Sequence, residues 1–385
     1  MKRPHLLHSH QPQRSPAHRQ PLLKPRSHQL MLIGQNDLTN LEGRIKAEAF
    51  RLGFNLCGFT TPESPAGFIN YENWLSMKQH AGMIYLESPR HRLMRQHPNQ
   101  LMSDVKTIIS LGWPYVLNVK DNDQSSAKAL IAGYAADIDY HLLLPEKLDQ
   151  LTNFIQCELN QNIRAQGFTD SAPILEREIA SRAGLGWIGK NSCLINPLAG
   201  SAFLLAELFI NLPLSPDQPF THDRCGSCHR CVDACPTSCI LPDRTIDSSR
   251  CISYLTIENK GVIPAKHRST LGHWFFGCDI CQVVCPWNKN NLSSIISPAN
   301  NWTIIDTLNI LSVTASEFST KFEQTALSRS KLKGLQRNAL TWLGNNGKPE
   351  HIEAINKFLL QSADAVLLET ANWSVKQINK KKNQE

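Results

Sequence analysis

The strongest constraint in this 385-residue sequence is a concentration of cysteines near its centre. Nine of the twelve cysteines lie between Cys225 and Cys285. The first 30 residues lack the apolar core of a secretory signal, so nothing points to the oxidising compartment in which disulfides persist. Clustered cysteines in a long chain without an export signal favour metal binding over a disulfide framework.

The spacing of these cysteines predicts two 4Fe–4S clusters. One motif is Cys225-x2-Cys228-x2-Cys231-x3-Cys235-Pro236, and the other is Cys278-x2-Cys281-x3-Cys285-Pro286. In such a run three thiolates reach one cluster, and the fourth, before the proline, reaches the other cluster. The second motif is one cysteine short, and Cys251 is expected to supply the missing ligand. We therefore assign one cluster to Cys225, Cys228, Cys231 and Cys285, and the other to Cys278, Cys281, Cys251 and Cys235.

A pair of zinc sites is the alternative, but zinc ribbons use paired C-x2-C units and not such a run ending in proline. The four remaining cysteines receive no catalytic role: Cys57 and Cys193 are expected in the core, Cys157 lies off the buried stripe of its helix, and Cys239 is left over. Two adjacent clusters form a path for single electrons. The 215 residues up to the cysteine module favour a redox centre within the same chain as the destination.

Charge and composition place limits on the rest of the chain. The net charge is +7, but residues 1–30 carry six of the Lys and Arg and no acid, which leaves 34 bases against 33 acids. Whole-chain basicity is therefore weak evidence for a nucleic-acid partner. An apolar content of 41% excludes global disorder, and the longest apolar stretch, 202–214, is too short to cross a bilayer. We expect a soluble, cytoplasmic, monomeric protein, with residues 1–37 a disordered basic extension or, alternatively, a transit peptide.

The chain divides into three further parts. Helices and strands alternate across residues 38–215, which predicts an α/β domain; residues 216–295 hold the cysteines, and residues 296–385 are helical throughout. The capping-box pattern Thr39-Asn40-Leu41-Glu42 opens the first helix, and Gly53 ends it. Strands are predicted at 105–111 and 203–212, and helices at 147–163, 175–183, 332–343, 350–360 and 364–378. The last three, short and stacked, resemble a HEAT-like solenoid fragment.

Several long, ordered strings in this sequence resemble the epoxyqueuosine reductase family. The resemblance extends from about residue 38 to residue 360. It is carried by Asp139-Tyr140-His141, by Asp170-Ser171-Ala172-Pro173-Ile174-Leu175-Glu176-Arg177, by residues 182–191 (Arg-Ala-Gly-Leu-Gly-Trp-Ile-Gly-Lys-Asn), by residues 250–258 (Arg-Cys-Ile-Ser-Tyr-Leu-Thr-Ile-Glu), by Gly277-Cys278-Asp279-Ile280-Cys281-Gln282, by Cys285-Pro286-Trp287-Asn288 and by Arg337-Asn338-Ala339.

The resemblance implies a cobalamin-dependent iron–sulfur enzyme that reduces epoxyqueuosine to queuosine at the wobble position of transfer RNA. It implies a nitroreductase-like α/β domain that binds cobalamin (38–215), a ferredoxin-like module with two 4Fe–4S clusters (216–295) and a C-terminal HEAT-like domain with transfer-RNA contacts (296–385). The expected partners are transfer RNA and an external low-potential electron donor, with no membrane.

The resemblance implies Asp170 as the catalytic acid that protonates the opening oxygen. To donate near neutral pH, its pKa should be raised by burial above the usual value of about 4. The alternative is an N-cap for the helix at 175–183, and Asp139, beside His141, is the second candidate. A corrinoid held by histidine uses Asp-x-His-x-x-Gly, but Leu144 replaces that glycine, so His141 is not expected to bind cobalt.

Motif position makes Arg95, Asp139, Asp170, Ser253 and Asp279 candidates for cobalamin contacts. For Ser253 and Asp279, which neighbour the cluster ligands Cys251 and Cys278, local turn hydrogen bonding is the alternative. The spacing of Gly184, Gly186 and Gly189 matches a dinucleotide fingerprint, but no predicted strand precedes it. A tight turn that packs near the corrin is the preferred interpretation.

Transfer RNA requires positive charge despite the neutral body of the chain. Arg329, Lys331, Lys333 and Arg337 lie within nine residues that contain no acid, and we interpret them as phosphate contacts. A solvated helix face is the alternative. Lys260 is a further candidate near the anticodon.

Two other functions fit part of this pattern. A ferredoxin-type electron-transfer protein would carry the clusters without a corrin, and a reductive dehalogenase would pair a corrinoid with two clusters. Dehalogenases are usually exported, whereas this chain has no export signal.

Overall fold

The computed structural model describes residues 40–117, 128–136, 138–289 and 302–383. The predicted basic extension, residues 1–37, lies outside these ranges, as does the predicted boundary at 295–296. None of the described helices combines the length and the apolar character that a bilayer-spanning segment needs.

The described residues fold into α-helices, β-strands and short 3-10 helices. The α-helices are α1 Leu41–Leu52, α2 Phe68–Ser76, α3 Pro89–Gln96, α4 Tyr140–Leu159, α5 Glu176–Arg182, α6 Arg230–Asp233, α7 Ile252–Ile257, α8 Ala265–Arg268, α9 Ile280–Val283, α10 Ile304–Ser312, α11 Ala315–Phe322, α12 Lys331–Asn346, α13 Ile352–Gln361 and α14 Ala365–Lys382. The strands are β1 Leu56–Thr60, β2 Thr107–Pro114, β3 Lys128–Ile131, β4 Ala165–Phe168, β5 Trp187–Ile188, β6 Leu194–Ile195, β7 Phe203–Ile210, β8 Trp274–Phe276 and β9 Trp302–Thr303. Short 3-10 helices are Ile84–Glu87, Pro98–Gln100, Gly133–Ala135, Ser269–Leu271, Pro286–Asn288, Ala326–Ser330 and Pro349–His351.

The first helix begins and ends close to its predicted positions, but its cap differs. The Asn40 side chain accepts a hydrogen bond from the backbone N–H of Gly43 at 2.7 Å, and Gly53 ends the helix at φ +111°. Glu42 does not close a capping box, because its carboxylate accepts the backbone N–H of Ser215 instead. This hydrogen bond connects the start of α1 to Ser215, the last residue of the predicted first domain.

A four-stranded antiparallel sheet in the order β1-β2-β7-β4 forms the frame of the first part of the chain. All eight residues of β2 pair with β7, so the strand predicted to end at Leu111 continues to Pro114. The apolar stripes of α1 and α4 pack against one side, where Ile45, Leu148 and Leu151 are buried. A helix-and-sheet fold was predicted and is confirmed, although the sheet is antiparallel throughout.

Helix α4 is longer at its start than predicted. It begins at Tyr140, seven residues before the predicted Lys147, because Asp139 caps it by accepting the backbone N–H of His141. Pro145 lies inside this helix and has no N–H to donate to the preceding turn. The early start places Tyr140 and His141 in the first turn of a rigid element.

A second, three-stranded sheet joins the predicted parts of the chain. Strand β3, from the first part, pairs with β8 of the cysteine-bearing part and with β9 of the C-terminal part. Ala129 and Ile131 lie in one apolar cluster with Phe275, Leu335 and Trp342. The three predicted parts therefore share one β-sheet and one apolar cluster and are not separate domains in series.

The C-terminal part is helical, as predicted, with α12, α13 and α14 close to the expected ranges. Helix α12 is enclosed, and Leu335, Ala339 and Leu343 are all fully buried. Gly344 permits close contact with α14, because a Cβ there would lie 2.3 Å from the Trp373 ring. The turn that precedes α12 contains Arg329 and is anchored by Ser330, whose hydroxyl donates to the Thr256 carbonyl at 2.9 Å.

Candidate active site and cluster sites

The four cysteines assigned to the first cluster line one cavity. Cys225, Cys228, Cys231 and Cys285 surround a space of about 230 Å³. Cys225, Cys228 and Cys231 come from the chain around α6, and Cys285 comes from the start of the 3-10 helix after α9. Four thiols around one cavity fit the corner ligands of a 4Fe–4S cluster. Among the described residues, no three His, Cys, Asp or Glu side chains converge in the way that ligands of a single metal ion do.

The glycine-containing segment 184–189 packs against this first cluster site. Trp187 directs its indole N–H at Cys225 Sγ, 3.4 Å away, and Lys190 donates to the backbone carbonyls of Gly226 and Cys228. A dinucleotide-binding fingerprint follows a strand, whereas helix α5 precedes this segment. Gly186 permits the close approach, because a Cβ there would lie 2.1 Å from the Ile195 carbonyl oxygen.

The thiols assigned to the second cluster are also brought together. Burial raises the pKa of Cys278, and the nearby charges of Cys251 and Cys235 add to the rise. The pKa of Cys281 is raised first by its contact with Cys193 and then by burial, and the charges of Cys278 and Cys251 act in the same direction. These thiols therefore lie near one another, and their assignment to one cluster stays a prediction.

Two of the cysteines left unassigned lie next to predicted cluster ligands. Cys239 Sγ is 3.4 Å from Cys235 Sγ, and its backbone N–H points at the same sulfur. Cys193, expected as a core thiol, forms a hydrogen bond with Cys281. Cys157 is exposed on α4, and burial raises the pKa of the Cys57 thiol to about 12.

Asp170 occupies a loop between β4 and α5, in a left-handed conformation at φ +52°. One carboxylate oxygen, Oδ2, accepts the Tyr140 hydroxyl at 2.7 Å and Arg329 Nη1 at 2.5 Å, and His141 Nε2 lies 3.5 Å away. The side chain keeps 44% of its surface exposed. The N-cap alternative is wrong, because the residue before α5 is Leu175 and no side chain caps that helix.

The charge state of Asp170 differs from the expectation. Burial alone would raise the pKa of the Asp170 carboxyl, but the His141 contact, the positive charge of Arg329 and the Tyr140 hydroxyl outweigh it. Together they hold the pKa below the usual range for aspartate. The predicted raised pKa is therefore wrong for the protein without its substrate, in which Asp170 is a carboxylate at neutral pH.

Asp139 and His141 form a supporting pair behind Asp170. Asp139 Oδ1 accepts the backbone N–H of His141 and lies 2.7 Å from Nδ1 of the same residue. The contact with Asp170 raises the pKa of His141, burial opposes this, and the contact with Asp139 adds to the rise. Both ring nitrogens therefore lie beside carboxylates, Nδ1 at 2.7 Å from Asp139 Oδ1 and Nε2 at 3.5 Å from Asp170 Oδ2.

Two further acids lie behind Asp170 on α5 and β7. Glu176 Oε1 accepts the backbone N–H of Asp170 at 2.7 Å. Burial, and then the nearby charge of Asp170, raises the pKa of Glu176 to about 7. Glu207 is fully buried, and desolvation raises its pKa well above the usual value. Glu176, which accepts the backbone N–H of Asp170, thus keeps its proton more readily than an ordinary carboxylate does.

The predicted cobalamin contacts do not all present surface to a ligand. Asp279 is 1% exposed and accepts the backbone N–H of Gly133 at 2.7 Å. Asp139 is buried by its contacts with His141. Direct cofactor contact is therefore wrong for Asp279, whereas for Asp139, whose side chain keeps 12% exposure, it stays a prediction. Arg95 is half-buried over the Tyr71 ring, and Ser253 is half-buried on α7.

The predicted transfer-RNA residues divide into three groups. Lys331 and Lys260 are exposed, and Lys333 is exposed but paired with Asp364 at 2.6 Å. Arg329 is half-buried against Asp170. Arg337 is a correction: it is 1% exposed and donates to the backbone carbonyls of Leu255, Asn259 and Gly261, so it cannot reach an RNA phosphate.

Three residues of the site were quoted in sequence motifs but received no role. They are Tyr140, Glu176 and Trp187, which contact Asp170 or Cys225. The sequence predicts Arg329 as a positively charged RNA contact. Its pairing with Asp170 has no sequence signal, because the two residues are 159 positions apart.

Two family models match this chain. The model described as "4Fe-4S double cluster binding domain" matches residues 224–288. The model described as "Epoxyqueuosine reductase QueG, DUF1730" matches residues 95–171, which include Asp139, His141 and Asp170. The two matched regions hold the eight predicted cluster ligands and the candidate acid.

Similar proteins cover most of the chain. A curated epoxyqueuosine reductase from Cyclobacterium marinum is 41% identical over 299 residues, which is 76% of this chain and 94% of the relative. A Bacillus subtilis epoxyqueuosine reductase structure, in which the catalytic aspartate loop is swung out of the active site, has a TM-score of 0.76 at 29% identity and covers 89% of this chain and 91% of its own. An epoxyqueuosine reductase bound to an epoxyqueuosine-modified stem loop of tyrosine transfer RNA has a TM-score of 0.74 at 27% identity, with 89% and 100% covered. This chain belongs to the epoxyqueuosine reductase family.

Proposed function

We propose that this protein reduces epoxyqueuosine to queuosine at the wobble position of transfer RNA, with electrons passing through two 4Fe–4S clusters to cobalamin and Asp170 donating a proton. The reaction consumes two electrons and two protons and yields the alkene and water. Family membership and the double-cluster match support the reaction. The observation that carries the assignment to residues is the convergence of Tyr140, His141 and Arg329 on the partly exposed Asp170 carboxylate.

The cysteines would bind the two clusters through which electrons pass. Cys225, Cys228, Cys231 and Cys285 fit one cluster, because all four line the same cavity. The set that contains Cys278 would hold the other cluster, and the charges of Cys251 and Cys235, which act on Cys278, support this assignment. Electrons would enter from an external low-potential donor.

Cobalamin, when bound, supplies a low-valent cobalt that accepts electrons singly and acts on carbon. His141 would serve Asp170 and not the cofactor, because Asp139 and Asp170 lie beside its two ring nitrogens. Arg95 and Ser253 are the half-buried residues that would contact the corrin. Asp139 would act as a positioning residue for His141. We assign this role to a nitroreductase-like domain, residues 38–215, and the clusters to residues 216–295.

Asp170 would protonate the oxygen released from the opening epoxide. The Bacillus subtilis relative, whose catalytic loop is named for an aspartate and is swung out of the active site, supports this role, and Asp170 also lies on a loop. Without substrate Asp170 is ionised, so it must gain a proton before it can act as an acid. His141 Nε2, 3.5 Å away, is the nearest imidazole nitrogen from which a proton could come.

The RNA would lie across the cations near the turn before α12. A relative that binds a modified stem loop supports transfer RNA as the substrate. Lys331 and Lys260 are exposed and available, whereas Lys333 would first have to leave Asp364. We assign these contacts mainly to a HEAT-like C-terminal part, residues 296–385. We expect the protein to act as a monomer in the cytoplasm.

Iron and cobalt content tests the cofactor assignment. After anaerobic reconstitution and incubation with cobalamin, we expect about eight irons per chain and one retained corrinoid. Eight irons without retained cobalt would instead identify a ferredoxin-type electron carrier, and the role of Asp170 would be lost with the cofactor.

A further inference from the structure

Arg329 lies between the candidate acid and the candidate RNA surface. It belongs to the 3-10 helix Ala326–Ser330, immediately before α12. Its Nη1 lies 2.5 Å from Asp170 Oδ2 and 3.2 Å from the Tyr140 hydroxyl, and its Nη2 lies 3.7 Å from Glu258 Oε1. The side chain nevertheless retains 36% exposure, so solvent, or an anion from solvent, can reach it.

Exposed positive charge lies next to Arg329 along the chain. Lys331 follows two residues later and is exposed, without an ion pair among the described residues. Arginine also binds phosphate more specifically than lysine does, because its planar fork can donate two parallel hydrogen bonds. A backbone phosphate drawn to these cations would therefore compete for the guanidinium that now contacts Asp170.

The competition has a chemical consequence for the acid. A phosphate beside Arg329 would lie close to the Asp170 carboxylate, and two neighbouring anions repel each other. The repulsion is relieved when Arg329 leaves Asp170, when Asp170 takes up a proton, or by both together. Tyr140, His141 and Glu176 also face Asp170 from α4 and α5. The start of α4 is joined to the chain just before the turn that carries Arg329 by the backbone N–H of Asp139, which donates to the Gln324 carbonyl at 2.9 Å.

We propose that Arg329 couples RNA binding to the protonation of Asp170. In the free protein it holds Asp170 as a carboxylate, and it exchanges that carboxylate for an RNA phosphate when the substrate binds. The acid is then protonated only in the complex. This inference rests on the proposed role of Asp170 as the proton donor, although the coupling itself is a property of binding and not of turnover.

Proton uptake on RNA binding tests the coupling. Calorimetric titration of the reconstituted protein with an unmodified anticodon stem loop, in buffers of different ionisation enthalpy, gives the number of protons bound. About pH 5 lies below the usual pKa of histidine and below the value of about 7 for Glu176 in the free protein, so these two groups contribute least to the uptake there. Glu258 also faces Arg329, and the Asp170→Asn variant separates its contribution from that of Asp170. We expect net proton uptake by the wild type and none by Arg329→Gln or Asp170→Asn. Lys331→Gln, which removes an adjacent charge without touching Asp170, should retain the uptake.

The salt dependence of the same binding separates contact from coupling. Both Arg329→Gln and Lys331→Gln should lower the slope of log K against log salt by about one, and Arg329→Lys should restore it. An unchanged slope in Arg329→Gln, no proton uptake by the wild type, or full uptake that persists in Arg329→Gln would each overturn the proposal. If Asp170→Asn still reduces epoxyqueuosine, the acid assignment fails by itself, whatever the calorimetry gives.

Discussion

Cys225 and Cys285 line the same cavity although they belong to different cysteine motifs. In a two-cluster ferredoxin the last thiol of each run, before the proline, serves the other cluster. If the same arrangement holds here, the two motifs do not hold their clusters independently. Loss of either motif should damage both electron carriers.

Paired cysteine variants test which thiols share a cluster. Cys225→Ala, Cys285→Ala and the double variant should each retain about four irons per chain, because all three lack only the first cluster. Cys225→Ala combined with Cys278→Ala should retain almost none. Iron analysis and electron paramagnetic resonance after anaerobic reconstitution provide the measurement. Cys157→Ala, at an exposed cysteine on α4, is the matched control and should retain about eight.

Asp170→Asn should remove the proton donor while preserving the fold. The amide is isosteric and can still accept the Tyr140 hydroxyl, so iron and cobalamin content should not change. We expect kcat on epoxyqueuosine transfer RNA to fall by about 100- to 10,000-fold, the range for loss of a general acid. Single-turnover assays with product analysis measure this. Turnover within a few-fold of the wild type would exclude Asp170 from the acid role.

His141 should make stability depend on pH in a defined direction. Its pKa is raised in the folded protein by Asp170 and Asp139, so its contribution is fully present below the unfolded pKa of about 6.5 and is lost as pH rises through the higher folded value. The free energy of unfolding of the wild type, minus that of His141→Gln, should fall across this window. Anaerobic urea denaturation at several pH values measures it; a constant difference would contradict the His141–Asp170 ion pair.

Arg337 should matter for stability and not for RNA. Its guanidinium donates to three backbone carbonyls in the interior, so Arg337→Met should lower the free energy of unfolding by about 3 kcal/mol or more. Lys331→Met, on the same helix but exposed, should change it by less than about 0.5 kcal/mol. If Arg337→Met does not fold, Arg337→Lys gives the smaller effect in the same direction. A stable Arg337 variant with a reduced RNA salt slope would restore the phosphate contact.

The features that sequence predicted well are those encoded at short range. The cysteine runs fix their own loops, and the helices α12 to α14 follow the apolar periodicity of the sequence. Helix α12 ends before Gly347, although it continues through Gly344, where the sequence predicted a turn. Helix α1 ends at Gly53 because the backbone there adopts a left-handed conformation, which glycine favours. In each case the residues that determine the structure lie within one or two helical turns of one another.

The features that sequence missed depend on long-range packing. Arg337 belongs to a basic run, but α12 is enclosed on its apolar side and turns that guanidinium into the core. The charge state of Asp170 depends on Tyr140, 30 residues away, and on Arg329, 159 residues away. No local sequence pattern shows that these residues meet. The sequence therefore predicts a pKa of Asp170 raised by burial, whereas its contacts lower it.

The most direct test of the proposed function is conversion of epoxyqueuosine to queuosine in a transfer-RNA stem loop by the reconstituted protein. With both clusters, cobalamin and a low-potential reductant, nucleoside analysis should find queuosine, and omission of cobalamin should abolish it. Queuosine formed equally well without cobalamin would contradict the proposed electron path. No queuosine from protein that holds about eight irons and cobalamin would contradict the proposed function itself.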